Sequence, residues 1–419
     1  NASDSTINWT YFNQQIENND KPYFEFWAYK SEALPITVPH QNVTYDIALS
    51  HLDEDTSYAF TASWAGGLRR LKFKNEYNSN GDIIGIIPIK WERVPIPMDN
   101  QFKLNTCELT SYDTVPDPYD PPNEMLILKD YYFNPRDPID GGNHNHKAFS
   151  ILTYGDTIWV GTANGINRGI FGGYSQTFGY CINWEHYSYP EYNLSGNFVV
   201  GLALQMHKGK RVIWAATVNA DDPTEQRGVS YTTNDGLSWN TALLGERVYN
   251  ITAEDSLVFA ATANGLWMTE DGINWAKYKP AQQHTPYSTD EILANEVYSV
   301  TFDTRDTSIW IGTGDGVAHS YDLDGLDWKI FRAEYDIDED YAYPNPFSPY
   351  THNVLGGDGY VRFHTNEWSG SSEIKLDVYN FAMEKVFAGS FDRTATSSGA
   401  LKWNGRDMEG RLVNNGGYF

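Results

Sequence analysis

The 419-residue sequence predicts an all-β protein, and three observations carry that expectation. Aromatic residues make up 15% of the chain, with 14 Trp and 29 Tyr, against 20% charged residues. Such side chains suit a pleated, half-buried surface. Short apolar runs punctuated by Gly, Asn and Asp recur along the chain, where helical spacing is scarce. Finally, one phrase is written four times: "DTIWVGTANGI" (156–166), "RVIWAATVNA" (211–220), "DSLVFAATANGLW" (255–267) and "TSIWIGTGDGV" (307–317). Thr162, Thr217, Thr262 and Thr313 hold the same place in it, 55, 45 and 51 residues apart.

A further apolar strand precedes the phrase, as in "NFVVGLALQM" (197–206), "RVYNITAE" (247–254) and "EVYSVTFD" (296–303). A short strand, an Asp-Gly corner and a Trp-led strand follow it. Four short strands in a unit of roughly 45 to 50 residues describe the blade of a β-propeller. Strands buried on both faces by neighbouring blades read as nearly continuous apolar runs. Gly165, Gly265 and Gly316 are expected to turn the chain at positive φ.

The corners are "TTNDGLSWN" (232–240), "MTEDGINWAKY" (268–278) and "SYDLDGLDWKIF" (320–331). They place Asp235, Gly236 and Trp239, then Asp271, Gly272 and Trp275, then Asp324, Gly325 and Trp328 in equivalent positions. Each tryptophan is expected to fill the gap between adjacent blades. Two fainter units lie upstream, over 44–97 and 147–189, which makes five recognisable blades where a ring of six to eight is expected. The opening "ASDSTINWTYFNQQ" reads as the end of another corner, so an N-terminal truncation is expected. Residues 99–146, rich in Pro and Asp, break the period and read as a surface insertion.

These corners resemble the Asp-box of sialidase-like repeats, Ser-x-Asp-x-Gly-x-x-Trp, with the aspartate position filled by Asn234, Glu270 and Leu323. The strand "IWVGTANGI" resembles the repeats of two-component-regulator propellers. The first resemblance implies structural turns on the rim, remote from any active site.

After residue 334 the pattern changes. Residues 335–342 read as an acidic linker carrying Asp336, Asp338, Glu339 and Asp340. From 343 to 419, alternation in "EIKLDVYN" puts Ile374, Leu376 and Val378 on one face, the pattern of a small β-sandwich. Tyr343-Pro344-Asn345-Pro346-Phe347, the "LDVYN" strand, Trp403-Asn404-Gly405-Arg406-Asp407, Gly410 and Gly417-Tyr418-Phe419 resemble the FlgD-type immunoglobulin-like domain. That resemblance implies export and attachment at a bacterial surface, as with type IX sorting domains. It also implies a last strand cut short at Phe419.

Fifty-five acidic against 30 basic residues give a formal charge of −25, which repels nucleic acid and anionic membranes. No run approaches the ~20 apolar residues of a membrane span, so no transmembrane segment is expected in this chain. Cys107 and Cys181 either form one bridge or stay as two buried thiols. Asp322, Asp324 and Asp327 form an incomplete calcium-loop pattern, and a structural corner is the better reading. His144 and His146 could face one way on an extended strand, but no third ligand is evident. No catalytic motif is found, and no cofactor is expected. The aromatics of the insertion, Tyr112, Tyr119, Tyr131, Tyr132 and Phe133, form the candidate contact surface. The expectation is a secreted or surface-held propeller that binds another surface protein or a glycan. A glycan-active hydrolase and a ligand-sensing propeller are the alternatives.

Overall fold

A computed structural model describes residues 23–26, 29–32, 43–52, 57–64, 67–81, 83–109, 112–116, 124–128, 144–175, 179–220, 222–278, 281–284, 289–292, 294–321, 323, 325, 327–332, 341–343, 345, 347–350, 359–364, 373–392 and 401–419. Among these the chain is all-β, with one 3-10 turn at Thr106–Glu108. Five blade sheets follow one another in sequence, four of four strands and one of five, the β-propeller arrangement. Blade 1 comprises Thr44–His51, Ser57–Ser63, Gly67–Tyr77 and Ile83–Arg93. Blade 2 comprises Ala148–Tyr154, Thr157–Thr162, Gly165–Ser175 and Gly179–Tyr187. Blade 3 comprises Phe198–His207, Lys210–Val218, Gly228–Thr232 and Asn240–Ala242. Blade 4 comprises Val248–Glu254, Leu257–Thr262, Gly265–Thr269 and Ala276–Lys277. Blade 5 comprises Val297–Asp303, Ser308–Thr313, Val317–Ser320 and Lys329–Phe331. The chain forms two compact units, residues 1–204 with 210–245, and residues 205–209 with 246–419.

The repeated phrase is the second strand of a blade and the turn after it. Ser57–Ser63 and Thr157–Thr162 are buried at every residue, which is why they carry no alternation. The repeated threonine closes the turn. Thr162 Oγ1 donates to the Gly165 carbonyl at 3.1 Å and accepts from the Asn164 N–H at 3.1 Å. Thr262 and Thr313 make the same bond to Gly265 and Gly316, both at 2.8 Å. Gly165 sits at φ +93°, and a Cβ there would strike the Tyr187 carbonyl oxygen, so both conformation and space require glycine.

The Asp-Gly corners owe their glycine to a neighbour. A Cβ on Gly236, at φ +92°, would lie 2.5 Å from Cζ of Tyr187, which reaches over from the preceding blade. A Cβ on Gly325 would meet the ring of Tyr278 in the same way. Trp239 and Trp328 are buried, at 4% and 2% exposure. Trp275 departs from expectation: it is only half-buried, while Tyr278, three residues on, is buried. The hydrogen bonding also corrects the alignment of the second corner. In the first, Asn234 Oδ1 accepts the Ser238 N–H at 2.9 Å. In the second, Asp271 Oδ1, not Glu270, accepts the N–H groups of Ile273 and Asn274, at 2.8 and 2.7 Å. That corner is one residue shorter between its threonine and its glycine, so counting back from the glycine lands one residue early.

The insertion begins as part of blade 2. Lys103–Asn105 pairs antiparallel with Asn183–Glu185 as a fifth strand, and Cys107 is disulfide-bonded to Cys181. Beyond residue 332, Tyr341–Tyr343, Val361–His364 and Leu401–Trp403 form one sheet, and Glu373–Tyr379 with Lys385–Asp392 another. Tyr341 and Ala342 are therefore strand residues, although the sequence placed them in the linker. Both sheets contribute to one core around Val361, Val378 and Trp403, with Leu376 and Phe387 packed on it. At the end of the chain, the Phe419 N–H and carbonyl both pair with Tyr379, at 2.9 and 2.8 Å. Arg362 of this region pairs with Glu291 at 2.9 Å, both side chains largely buried.

Candidate binding surface

Of the residues singled out in the insertion, Tyr112 lies in a described strand, Tyr112–Pro116, paired with Glu124–Leu128. Tyr119, Tyr131, Tyr132 and Phe133 lie outside the described residues, as do Asp322 and Asp324. Asp327 is exposed, and its backbone carbonyl accepts the Ser320 hydroxyl at 2.6 Å. Among the described residues no group of three or more His, Cys, Asp or Glu is placed to hold a metal.

The structure brings together the two ends of the insertion. The Asp99 carboxylate accepts the N–H groups of His144 and Asn145, at 3.0 and 2.6 Å. Asn145 is fully buried, donates to the Pro97 carbonyl at 2.7 Å, and exchanges two 2.8 Å bonds with the buried Asn167. Thr162 Oγ1 donates to Asn145 as well, at 2.7 Å. Buried amides satisfied this fully fix a unique geometry. His186, also buried, has Nδ1 3.0 Å from the Gln101 carbonyl and Nε2 2.6 Å from the Asn164 carbonyl, and its neutral ring donates to one of them. Burial, opposed by those two bonds, holds its pKa below the ordinary histidine value. His144 thus belongs to a structural clamp that roots the insertion on blade 2.

A second arrangement recurs from blade to blade. In blades 1, 2, 4 and 5 the first strand carries a β-bulge, and the residue skipped by the pairing is Tyr45, Phe149, Tyr249 or Tyr298. Blade 3 opens its first strand on Phe198. A bulge re-aims its side chain relative to the strand, and here that side chain is aromatic every time. Within the first unit Tyr45 and Phe149 have ring centroids 5.2 Å apart, and Phe149 and Phe198 4.5 Å apart. Trp64 adds an edge-on contact to Phe149 at 6.2 Å, with Lys147 Nζ 5.4 Å above the Trp64 ring. Within the second unit Tyr249 and Tyr298 stand 5.2 Å apart. Their hydroxyls both donate to the Glu296 carboxylate, at 3.2 and 2.7 Å, and the Arg247 guanidinium lies 5.1 Å over Tyr249. The bond to Glu296 raises the pKa of Tyr298.

Tyr45 and Tyr298 are 51% and 46% exposed, so each file has one accessible aromatic. Rigid aromatic faces with adjacent hydrogen-bonding groups are recognition surfaces. Sequence reading passed over these positions, although "TYDI", "AFSI", "VYNI" and "VYSV" show the aromatic in register once the blades are aligned.

No protein-family model matches the chain, and no curated protein matches it. Among solved structures it is similar to PorZ, a surface component of the type IX secretion system of Porphyromonas gingivalis. That match has 14% identity over 93% of this chain and 51% of that one, at a TM-score of 0.37. It is also similar to the extracellular domain of the hybrid two-component system BT3049 from B. thetaiotaomicron, at 13% identity over 81% of this chain and 42% of that one, TM-score 0.35. A third likeness is to an ancestral GH74 enzyme, at 12% identity over 84% and 59%, TM-score 0.31. The chain spans about half the length of PorZ. Likenesses this remote do not carry function across.

Proposed function

We propose that this chain is a secreted or cell-surface β-propeller protein that acts as a binding platform, with a C-terminal module of the FlgD immunoglobulin-like type for export or surface attachment. The observation that carries the binding role is the aromatic at the bulge of the first strand in four blades, with exposed faces at Tyr45 and Tyr298. The bulge re-aims each of these side chains, and Tyr45 and Tyr298 keep about half their surface open. The surface address is supported by the Cys107–Cys181 bridge, which suits an oxidising compartment. It is supported too by the "YPNPF", "LDVYN" and "WNGRD" motifs in their family order. The corners at Asp235, Asp271 and Asp324 belong, in this reading, to the Asp-box type and serve the scaffold.

A photo-reactive phenylalanine analogue placed at position 298, in chain expressed by its source cells, tests the reading. Cross-links to a surface protein or surface polysaccharide on intact cells are expected. Chain that can be labelled only after lysis, or that cross-links to nothing, would remove the proposal.

A further inference from the structure

Four of the five blades protect the outer edge of their sheet. Blades 3, 4 and 5 end in strands of three, two and three residues, Asn240–Ala242, Ala276–Lys277 and Lys329–Phe331. In blade 2 the outer strand Gly179–Tyr187 is covered by the antiparallel Lys103–Asn105. Short or covered edges are how β-proteins avoid pairing with other chains. Blade 1, which lies wholly in the first compact unit, ends differently. Its outer strand, Ile83–Arg93, has eleven residues. It pairs with Gly67–Tyr77 on one side and, among the described residues, with no strand on the other.

The composition of that strand matches its length. Residues 83–89, "IIGIIPI", hold five isoleucines and no charge. Ile83, Ile84, Ile86, Ile87 and Ile89 are all between 37% and 62% exposed. Ile86 and Ile87 are adjacent, so they lie on opposite faces of the sheet. A strand that is β-branched on both faces reads as a central strand, covered on each side, yet this one is an edge. Trp91 anchors its later half on Ala59, Leu71 and Phe73. In its earlier half, residues 83–87 pair only with residues 74–77 among the described residues, past the point where Ser57 ends the ladder to the next strand. Two strands by themselves are marginal in water. Isoleucines in this number, each about half open, make an apolar surface on the order of 500 Å², the size at which such patches serve association. A stable dimer buries about 800 Å² per partner, which the backbone edge and the exposed Tyr77 bring within reach.

We propose that strand Ile83–Arg93 of one copy of this chain pairs antiparallel with the same strand of a second copy, about a two-fold axis at Ile86, and so joins two four-stranded sheets into one of eight. Self-pairing centred there sets Ile83 opposite Ile89, Ile84 opposite Pro88 and Gly85 opposite Ile87. No like charges face each other, which is what a strand needs to accept its own copy. The pairing with Gly67–Tyr77 skips Ile84 and Ile89, and Pro88 has no N–H to offer, so the new backbone bonds are few. Burial of isoleucine supplies the greater part of the contact. A membrane is the poorer occupant, because the turn between the two strands is polar, with Asn78, Ser79 and Asn80. The contact is isologous, so it closes at a dimer.

Sedimentation velocity on the whole chain tests this. The wild type is expected to show monomer and dimer in proportions that follow concentration, and nothing larger. Position 86 faces itself across the axis, so Ile86→Lys and Ile86→Glu each oppose like charges and are expected to stay monomeric, with the melting of the monomer unchanged. Mixed one to one, the two variants set lysine against glutamate and are expected to recover the dimer. Ile84→Lys, at the most exposed of the five isoleucines, serves as a second block should the Ile86 variants melt early. A wild type that stays monomeric at every concentration, a dimer that survives these substitutions, or an equimolar mixture that stays monomeric would overturn the proposal. So would a monomeric chain that floats with phosphatidylcholine vesicles and is released by Ile84→Lys, since the strand would then serve a lipid surface.

Discussion

Asp46 of blade 1 accepts the backbone N–H of Ile151 in blade 2 at 2.8 Å, and so ties the first strands of two blades together across their seam. The carboxylate does this from a partly buried site, and burial, outweighing its bonds from the N–H groups of Ile151 and Ile47, raises its pKa above the ordinary 3.8. A raised carboxylate pKa contributes stability that is fully present below 3.8 and is lost as pH rises through the folded value. Asp46→Asn keeps an acceptor, as Asn250 does at the next seam of this kind, and removes the ionisation. It is expected to match the wild type in acid and to exceed it in stability towards neutral pH. Asp46→Ala leaves the Ile151 N–H without its partner and should cost about 1–2 kcal/mol. Urea titrations across the acidic range decide both, and an Asn variant less stable than wild type at neutrality would refute the assignment.

Asp271 sets the opposite slope. Backbone N–H bonds from Asn274 and Ile273 hold its pKa at about 2. A depressed pKa gives stability that is present above 3.8 and lost as pH falls through about 2. Asp271→Ala should therefore lower the melting temperature at neutral pH, and the deficit should shrink on acidification. Glu270→Ala should leave melting unchanged. Equal effects of the two substitutions would return the corner's acceptor to Glu270.

Gly236 and Trp239 act on one seam from the same blade, both against Tyr187 of the blade before. Gly236→Ala forces a methyl towards Tyr187 at positive φ and should cost about 1–3 kcal/mol. Trp239→Ala empties a site against Trp159 and Tyr187, whose rings lie 6.1 and 5.9 Å away, and should cost about 3–5 kcal/mol. Thermal melts of the two variants measure this. A Gly236→Ala protein as stable as wild type would mean that Tyr187 moves aside freely.

Replacing both Cys107 and Cys181 by Ser opens a loop spanning 74 residues and should lower stability by about 2–4 kcal/mol. The paired strand Lys103–Asn105 and the Thr106 hydroxyl, which accepts the Ile182 N–H at 2.8 Å, continue to hold the segment. Unfolding of the wild type with and without reductant should show the same difference. Identical curves would show that the bridge constrains nothing.

The period of about fifty residues and the phrase ending in the closing threonine placed four blades from sequence alone, because each depends on pairing within one hairpin, and the unit over 44–97 was fainter. What the linear pattern did not decide is what one blade does to the next. Trp239 and Trp275 occupy equivalent places in the sequence, yet one is buried and the other half-open. Glu270 and Asp271 exchange roles through one missing residue, visible only in the hydrogen bonds. Ile47 and Ile151 read alike along the chain, and only packing distinguishes the one that has a neighbour from the one that faces solvent. Hairpin registry is written in neighbouring residues, whereas burial and the aim of a bulged side chain are set by sheets that meet from distant parts of the chain.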